Sequence, residues 1–181
     1  IVTPDEVKKQ DLLIKDGKIA DIGSFDGGDV IDGEGMYLMA GFIDTHVHGV
    51  YGVAFDDPAA EFDDALNYEA SHGVTTLAAT TGTQEGYNLC SAFEHIASEA
   101  KRRTRGTKIA GIHAEGPCVS PARKGAMNEK CMIKPSAEVI RKFCSHADGM
   151  MKIITIAPEL EGALEAAEEA VRLGVKPSMG H

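Results

Sequence analysis

The amino-acid sequence predicts an α/β protein: part of a (β/α)8 TIM-type barrel, with about five strands and four helices, preceded by a small β element. From residue 41 onward, short apolar runs alternate with segments of helical period, which is typical of βα units around a parallel sheet. In the residues before 41, apolar and polar residues alternate with period two instead. The composition, 43% hydrophobic and 25% charged over 181 residues, is that of an ordinary globular protein.

The N-terminal region is predicted to be a small antiparallel β element. Residues 11–15 and 18–22 alternate with period two and are separated by Asp16-Gly17, a signal for a type I′ hairpin turn. Two further apolar runs, 30–31 and 37–39, are predicted as short strands between glycines. We therefore expect residues 1–40 to form one β region.

The remaining chain is predicted to form five βα-type strands and four helices. The predicted strands are 41–47, 74–80, 108–113, 153–157 and 175–179. The predicted helices are 59–71, 85–103, 136–146 with Ser136 as N-cap, and 161–173 ended by Gly174.

Two architectures fit these elements. An eight-unit barrel needs about 250 residues, so five strands would be its first part, and the stop at His181 directly after an apolar run leads us to expect a fragment of a longer protein. A doubly wound open sheet can close with five strands, but no G-x-G-x-x-G stretch follows the first strand, which weakens its dinucleotide-binding version.

Composition excludes several classes of function. With 28 acidic and 18 basic residues the formal net charge is -10, opposite to the basic excess of a nucleic-acid binder. No run approaches about 18 apolar residues and the N-terminus is polar, so we expect no membrane partner and a cytoplasmic location. The four cysteines form no C-x-x-C pair and are expected to be free thiols.

Two histidines at the end of the first barrel strand form the first candidate for metal binding. Side chains alternate between the two faces of a strand, so His46 and His48, two positions apart, point to the same face. They lie at the carboxyl end of the strand, where parallel-sheet enzymes place their active sites. Two solvent-facing histidines are the alternative, but an H-x-H pattern after a buried strand favours a metal.

Further ligands are predicted at the ends of the third and fifth strands. Glu115 follows the third strand, and a carboxylate there is costly to bury without a cation. His181 follows the fifth, and alternate strands of a barrel contribute to shared layers. The candidate metal site is therefore His46, His48, Glu115 and His181.

The other histidines receive different predictions. His113 is expected to be a satisfied core histidine or to support a ligand. The remaining three lie on or at the ends of predicted helices, where surface or capping roles are expected: His72, His95 and His146.

Several motifs resemble one known family. The run GFIDTHVHG (41–49) resembles the metal-binding opening of the amidohydrolase superfamily, which alone leaves dihydroorotases, hydantoinases and deaminases open. The runs HAEGP (113–117), SPARKGA (120–126), APE (157–159) and GH (180–181) are similar, in this order, to segments of N-acetylglucosamine-6-phosphate deacetylases.

The resemblance implies a zinc- or iron-dependent deacetylase with one or two divalent ions. Its substrate would be a phosphorylated amino sugar, N-acetylglucosamine-6-phosphate, converted to glucosamine-6-phosphate and acetate. The family's fold implies that residues 1–40 belong to a small β-sandwich and residues 41–181 to the first half of the barrel. The full-length enzyme would be a homodimer, with a further histidine ligand and an aspartate acting as general acid and base beyond His181. A cyclic amide hydrolase and an inactive truncated fragment remain the alternatives.

The same resemblance assigns substrate contacts to the loop after the third strand. The residues implied are Gly116, Pro117, Cys118, Lys124, Ala126 and Met127, the last standing where the family often has a histidine that contacts the sugar phosphate. Long loops in compact α/β domains are usually functional, so residues 116–135 are expected to border the substrate. Arg123 and Lys124 are a cationic pair that could attract the phosphate, with a solvated surface role as the alternative.

Overall fold

The computed structural model describes residues 1–83, 88–103 and 105–181. The chain divides into two compact units, Ile1–Gly41 and Phe42–His181. Among the described residues, no helix is long and apolar enough to cross a membrane.

The first unit contains one two-stranded antiparallel sheet, formed by β1 (Asp11–Lys15) and β2 (Lys18–Gly23). Asp16 and Gly17 have φ angles of 52° and 70°, as a type I′ turn requires at both central positions. The predicted hairpin is therefore confirmed.

The prediction of two further strands in this unit is wrong. Residues 30–31 and 37–39 carry no strand, and Ile31 is 95% exposed. Near these residues, Val2 N donates a hydrogen bond to Leu38 O (2.8 Å), and Met36 N donates one to Gly33 O (3.0 Å) that closes a turn. A short apolar run becomes a strand only when another strand pairs with it, and none does so among the described residues.

The second unit is built around a five-stranded parallel sheet. Its strands are β3 (Phe42–Val47), β6 (Val74–Thr81), β7 (Lys108–Glu115), β8 (Met151–Ile156) and β9 (Lys176–Met179). A small hairpin that the sequence did not predict, β4 (Gly49–Val50) and β5 (Val53–Ala54), follows β3.

In the part of the chain that the structure describes, four helices connect the strands: α1 (Asp63–Ser71), α2 (Leu89–Arg102), α3 (Ala137–His146) and α4 (Ala163–Arg172). The strands neighbour one another in chain order, β3-β6-β7-β8-β9, without the reversal of a doubly wound sheet. Right-handed crossovers in one direction place all helices on the same side of the sheet, which curls into half a barrel. The predicted partial barrel is confirmed and the open-sheet alternative is wrong.

Local chemistry explains where the helices begin. Ser136 caps α3 as predicted, its hydroxyl accepting from Val139 N at 3.3 Å. The chain before α1 turns first, since Asp57 Oδ1 accepts from Ala59 N (2.9 Å), so the predicted start at 59 is too early. α4 starts after Gly162, whose φ of +87° is not helical. For α2, the predicted start at 85 lies outside the described residues.

The core lies between the sheet and the helices. Strand residues such as Leu77, Ile112 and Ile154 pack against helix residues such as Phe93 and Ile140, all essentially inaccessible to solvent. Burying an aliphatic or aromatic side chain of this size contributes about 1.5–3 kcal/mol. This layer fixes the sheet, and the carboxyl ends of its parallel strands meet at one rim.

Candidate metal centre

Four side chains predicted as metal ligands meet at this rim. His46 lies near the end of β3 and His48 directly after it, while Glu115 is the last residue of β7. His181 follows β9 by two positions. Strands at the edge and at the centre of the sheet thus deliver their polar ends to one place.

The Glu115 carboxylate is the centre of the cluster. Its Oε1 lies 3.4 Å from His46 Nε2 and 3.1 Å from His181 Nε2, and its Oε2 lies 2.9 Å from His48 Nε2. The two Nε2 atoms of His46 and His48 are 3.3 Å apart. Among the described residues, the donor atoms of His46, His48 and Glu115 all lie within 4.8 Å of one another and form a group that could hold a metal ion. That group does not include His181, so the ligand role of His181 stays a prediction.

The hydrogen bonding of His181 fits a cation at the cluster. A carbonyl oxygen only accepts, so His181 Nδ1 donates to Arg123 O at 3.0 Å. In the neutral imidazole, Nε2 then carries a lone pair that faces the Glu115 Oε1, and a proton or a cation is needed between them. Metal-bound histidines commonly donate their other ring N–H to a backbone carbonyl in this way. Imidazole nitrogens with one carboxylate are a donor set that suits zinc and also iron.

The strand β7 holds Glu115 as the last residue that pairs with β8. Glu115 pairs with Thr155 on β8, and its carbonyl accepts from Thr83 Oγ1 at 3.3 Å. The next residue must be glycine, because Gly116 has φ +88° and a Cβ there would lie 2.4 Å from that same hydroxyl. The side chain of Glu115 is 13% exposed, so a carboxylate with little water around it faces the imidazoles.

The hairpin β4–β5 closes the chain directly after His48. Phe55 N donates to His48 O at 2.9 Å. A Cβ at Gly49, which has φ +140°, would lie 2.0 Å from Val53 O, so only glycine permits this close approach. The sequence signal for this turn is the glycine next to the H-x-H pattern.

His113 is a satisfied core histidine, as expected. Its Nδ1 lies 2.9 Å from Thr45 O and its Nε2 lies 2.9 Å from Thr155 Oγ1. Burial lowers the pKa of His113, partly opposed by the hydrogen bond to Thr45. This side chain therefore connects β3 and β8 from its position on β7.

The loop residues predicted to contact substrate differ in accessibility. Lys124 is half-buried, with Nζ donating to Met127 O at 3.2 Å, and Ala126 is exposed. Burial raises the pKa of the Cys118 thiol to about 12, so it is no nucleophile near neutral pH. The other members of the predicted set are buried: Gly116, Pro117, Cys118 and Met127. Their substrate role stays a prediction.

A cleft of about 520 Å³ opens beside His181. Among the described residues it is lined by Arg123, Pro158, Glu159, Met179, Gly180 and His181. None of the six residues predicted for substrate contact lines it, whereas Arg123 of the predicted cationic pair does. Four of the other lining residues, Pro158, Glu159, Gly180 and His181, belong to the APE and GH motifs.

The other histidines and the cysteines have structural surroundings. His72 is the C-cap of α1, His95 Nε2 contacts Ala60 O at 2.7 Å, and His146 contacts Glu94 at 2.6 Å. The predicted surface and capping roles are confirmed for His72 and His146. For His95 the prediction is wrong, because its ring is partly buried within α2 and packs edge to face on Phe62, with centroids 4.9 Å apart. All four cysteines are free, also as predicted.

Comparisons with known proteins agree with this geometry. Residues 37–174 match the amidohydrolase family. The chain is 33% identical to an N-acetylglucosamine-6-phosphate deacetylase of Lysinibacillus sphaericus, covering 96% of this chain and 46% of that protein. It is 30% identical to an N-acetylgalactosamine-6-phosphate deacetylase of Escherichia coli O157:H7, covering 94% and 45%.

A solved structure gives the same picture. An N-acetyl-D-glucosamine-6-phosphate deacetylase variant from Mycobacterium smegmatis, in complex with N-acetyl-D-glucosamine-6-phosphate, superposes with a TM-score of 0.80 at 31% identity. The match covers 94% of this chain and 44% of that one. The chain thus spans about half the length of the relatives it matches.

Proposed function

This chain belongs to the amidohydrolase family, and from that premise we propose that it forms the N-terminal part of a metal-dependent deacetylase. The proposed reaction removes the acetyl group from N-acetylglucosamine-6-phosphate and yields glucosamine-6-phosphate and acetate. The observation that carries the proposal is the convergence of three imidazole Nε2 atoms on the Glu115 carboxylate.

The edges of the sheet support the assignment to a longer barrel. Phe42 and Ile43 on β3 and Met179 on β9 are all more than half exposed. In an eight-stranded barrel these two edges pair with the eighth and the sixth strand, which would cover such side chains. A cytoplasmic location and a homodimeric state of the full-length enzyme belong to the same proposal.

His46, His48 and Glu115, with His181 beside them, would hold one or two divalent ions, zinc or iron. A divalent ion held there would supply Lewis acidity, which makes hydroxide available near neutral pH and polarises the amide carbonyl. Glu115 supplies the negative charge that the cation needs, and its low exposure keeps competing water away. Arg123 O fixes the His181 ring so that Nε2 faces the cluster. The aspartate that would protonate the leaving amine is expected from residues outside this chain.

The 520 Å³ cleft beside His181 is the proposed place for the sugar phosphate. Its lining includes Arg123, and Lys124 follows in sequence. In a chain with a net charge of -10, a cationic pair at the site would be a specific attraction for a phosphate group. The substrates named for both relatives are amino-sugar phosphates, which favours this class over cyclic amides.

Acetate release by the full-length protein tests the proposal. We expect turnover of N-acetylglucosamine-6-phosphate, loss of turnover on chelation, recovery with zinc or iron, and much weaker turnover of unphosphorylated N-acetylglucosamine. Parallel assays with N-acetylgalactosamine-6-phosphate determine the preferred epimer. A preference for dihydroorotate or hydantoin over all of these sugars would overturn the proposal.

Charge reversal tests the phosphate contact separately. The double variant Arg123→Glu, Lys124→Glu should raise KM about tenfold or more, since a hydrogen bond to a charged group contributes about 1.5–3 kcal/mol. Lys130→Glu is the matched control, because Lys130 is an exposed cation in the same loop. An unchanged KM in the double variant would exclude a phosphate contact by Arg123 and Lys124.

A further inference from the structure

The register of β3 breaks where the strand presents its histidines. Asp44 pairs with Leu77 of β6, and Val47 pairs with Ala79. Two residues of β3, Thr45 and His46, therefore stand opposite the single residue Ala78. This is a β-bulge, which takes backbone groups out of the ladder and changes the direction of side chains, often next to active sites.

Side chains bond to the backbone groups at this bulge. Thr45 O accepts from His113 Nδ1 at 2.9 Å, and Val47 N donates to Thr80 Oγ1 at 3.0 Å. His46 N donates to Asp44 Oδ1 at 2.9 Å. Side-chain hydrogen bonds thus take the place of the missing ladder on both sides of His46.

The two supports from neighbouring strands are themselves fixed. Thr80 is fully buried, and its hydroxyl donates to Ala78 O at 3.2 Å while it accepts from Val47 N. His113 is buried, and because Thr45 O only accepts, its Nδ1 carries the proton. His113 Nε2 then accepts from the Thr155 hydroxyl at 2.9 Å. Each support therefore has one defined hydrogen-bonding arrangement.

His113 also contacts the ring of His46 directly. The two imidazole rings meet edge to face, with centroids 4.7 Å apart and planes at 80°. One side chain from β7 thus holds both the carbonyl that precedes His46 and the His46 ring itself.

We infer that Thr80 and His113 are positioning residues that hold the bulge at the end of β3 and so set the affinity of the His46, His48 and Glu115 cluster for a divalent metal. The inference rests on the metal site of the proposed function. Removal of a group that orients a metal ligand without binding the metal typically lowers metal affinity about 10- to 100-fold.

Metal binding by the full-length protein tests the role of Thr80. Thr80→Val keeps the shape of the side chain but removes the acceptor for Val47 N, so Co²⁺ affinity, measured by competition with a chelator, should fall about tenfold or more. The visible absorption of bound Co²⁺ should also change, because the ligand directions change. Thr80→Ser keeps the hydroxyl and should restore both readouts.

Thr81→Val is the matched control. Thr81 is the next residue on β6 and is fully buried, yet its Oγ1 has no hydrogen-bond partner among the described residues. The same substitution at this position should leave Co²⁺ affinity and the spectrum unchanged. Equal losses in the two valine variants would overturn the inference, because the effect would then belong to strand β6 in general.

A pair of variants at His113 tests the second support and remains decisive if Thr80→Val fails to fold. In His113→Asn, the amide nitrogen can occupy the place of Nδ1 and keep the bond to Thr45 O. His113→Gln reaches towards Thr155 and loses that bond. We expect Asn to retain Co²⁺ affinity about tenfold better than Gln. Equal affinities would overturn the role of His113, whereas a wild-type protein that binds no metal would overturn the proposed function instead.

Discussion

Two glutamates with similarly low exposure, Glu169 and Glu115, have different partners. The side chain of Glu169 on α4 is 10% exposed and that of Glu115 on β7 is 13% exposed. Glu169 contacts the guanidinium groups of Arg172 and Arg141, at 2.7 and 3.1 Å. Among the described residues, the ion-pair partners of Glu115 are three imidazoles.

The difference lies in how permanent the counter-charge is. Guanidinium groups stay protonated in proteins, and the hydrogen bond from Arg172, together with that from Arg141, lowers the pKa of Glu169 to about 2. Imidazoles are neutral or cationic near neutral pH and are also metal ligands. A buried carboxylate among arginines is thus a structural ion pair that joins α3 to α4, and one among histidines is a site that can accept a cation. Burial alone does not separate the two.

The largest expected effect is that of Glu115→Gln on metal content. A neutral amide oxygen is a poorer ligand than a carboxylate, so affinity should fall by more than the roughly 100-fold typical of outer groups. Metal per protomer after dialysis against a chelator measures the loss. Glu169→Gln is the control and should bind metal like the wild type. Unchanged metal content in Glu115→Gln would exclude that carboxylate as a ligand.

Glu169→Gln should show the opposite pattern, with normal metal binding and lower stability. Two guanidinium groups lose their common counter-charge, so the thermal unfolding midpoint should fall by a few degrees. Glu168→Gln is the matched control, since Glu168 is the exposed neighbour on the same helix. If both variants unfold at the wild-type temperature, the ion pair between α3 and α4 contributes nothing measurable.

The smallest expected effect is the pH dependence of the stability difference between the wild type and Glu169→Gln. The pKa of Glu169 is about 2 in the folded protein and about 4.3 when unfolded. Its stabilisation is therefore complete above about pH 4.3 and is lost as the pH falls towards 2. Urea midpoints should show wild type and Glu169→Gln converging over this window. A gap that stays constant down to about pH 2.5 would contradict the assignment.

Much of this fold and site could be predicted because the signals are local. The five strands of the parallel sheet with their apolar runs, the Ser136 cap and the Asp16-Gly17 turn each depend on a few consecutive residues. His46 and His48 stood out because two histidines with one residue between them share a strand face.

What escaped prediction depends on pairing between distant residues. Thr80 reads as one more polar residue on β6, and its role follows only from the register of β6 against β3, 33 residues away. Residues 30–31 look like a strand, but no neighbour pairs with them among the described residues. The cleft likewise joins Arg123 to residues that follow β8 and β9, which no local pattern reveals.

The loop after β7 and the residue His181 beyond β9 are joined by two hydrogen bonds, one between backbone groups and one from the His181 side chain. Ser120 N donates to His181 O at 2.7 Å, and His181 Nδ1 donates to Arg123 O at 3.0 Å. A molecule that moves this loop also moves the imidazole of His181, which faces Glu115. A ligand of the cleft that shifts this loop would therefore also change the metal affinity of the cluster, and reciprocity requires that a bound metal would change the affinity of the cleft by the same factor.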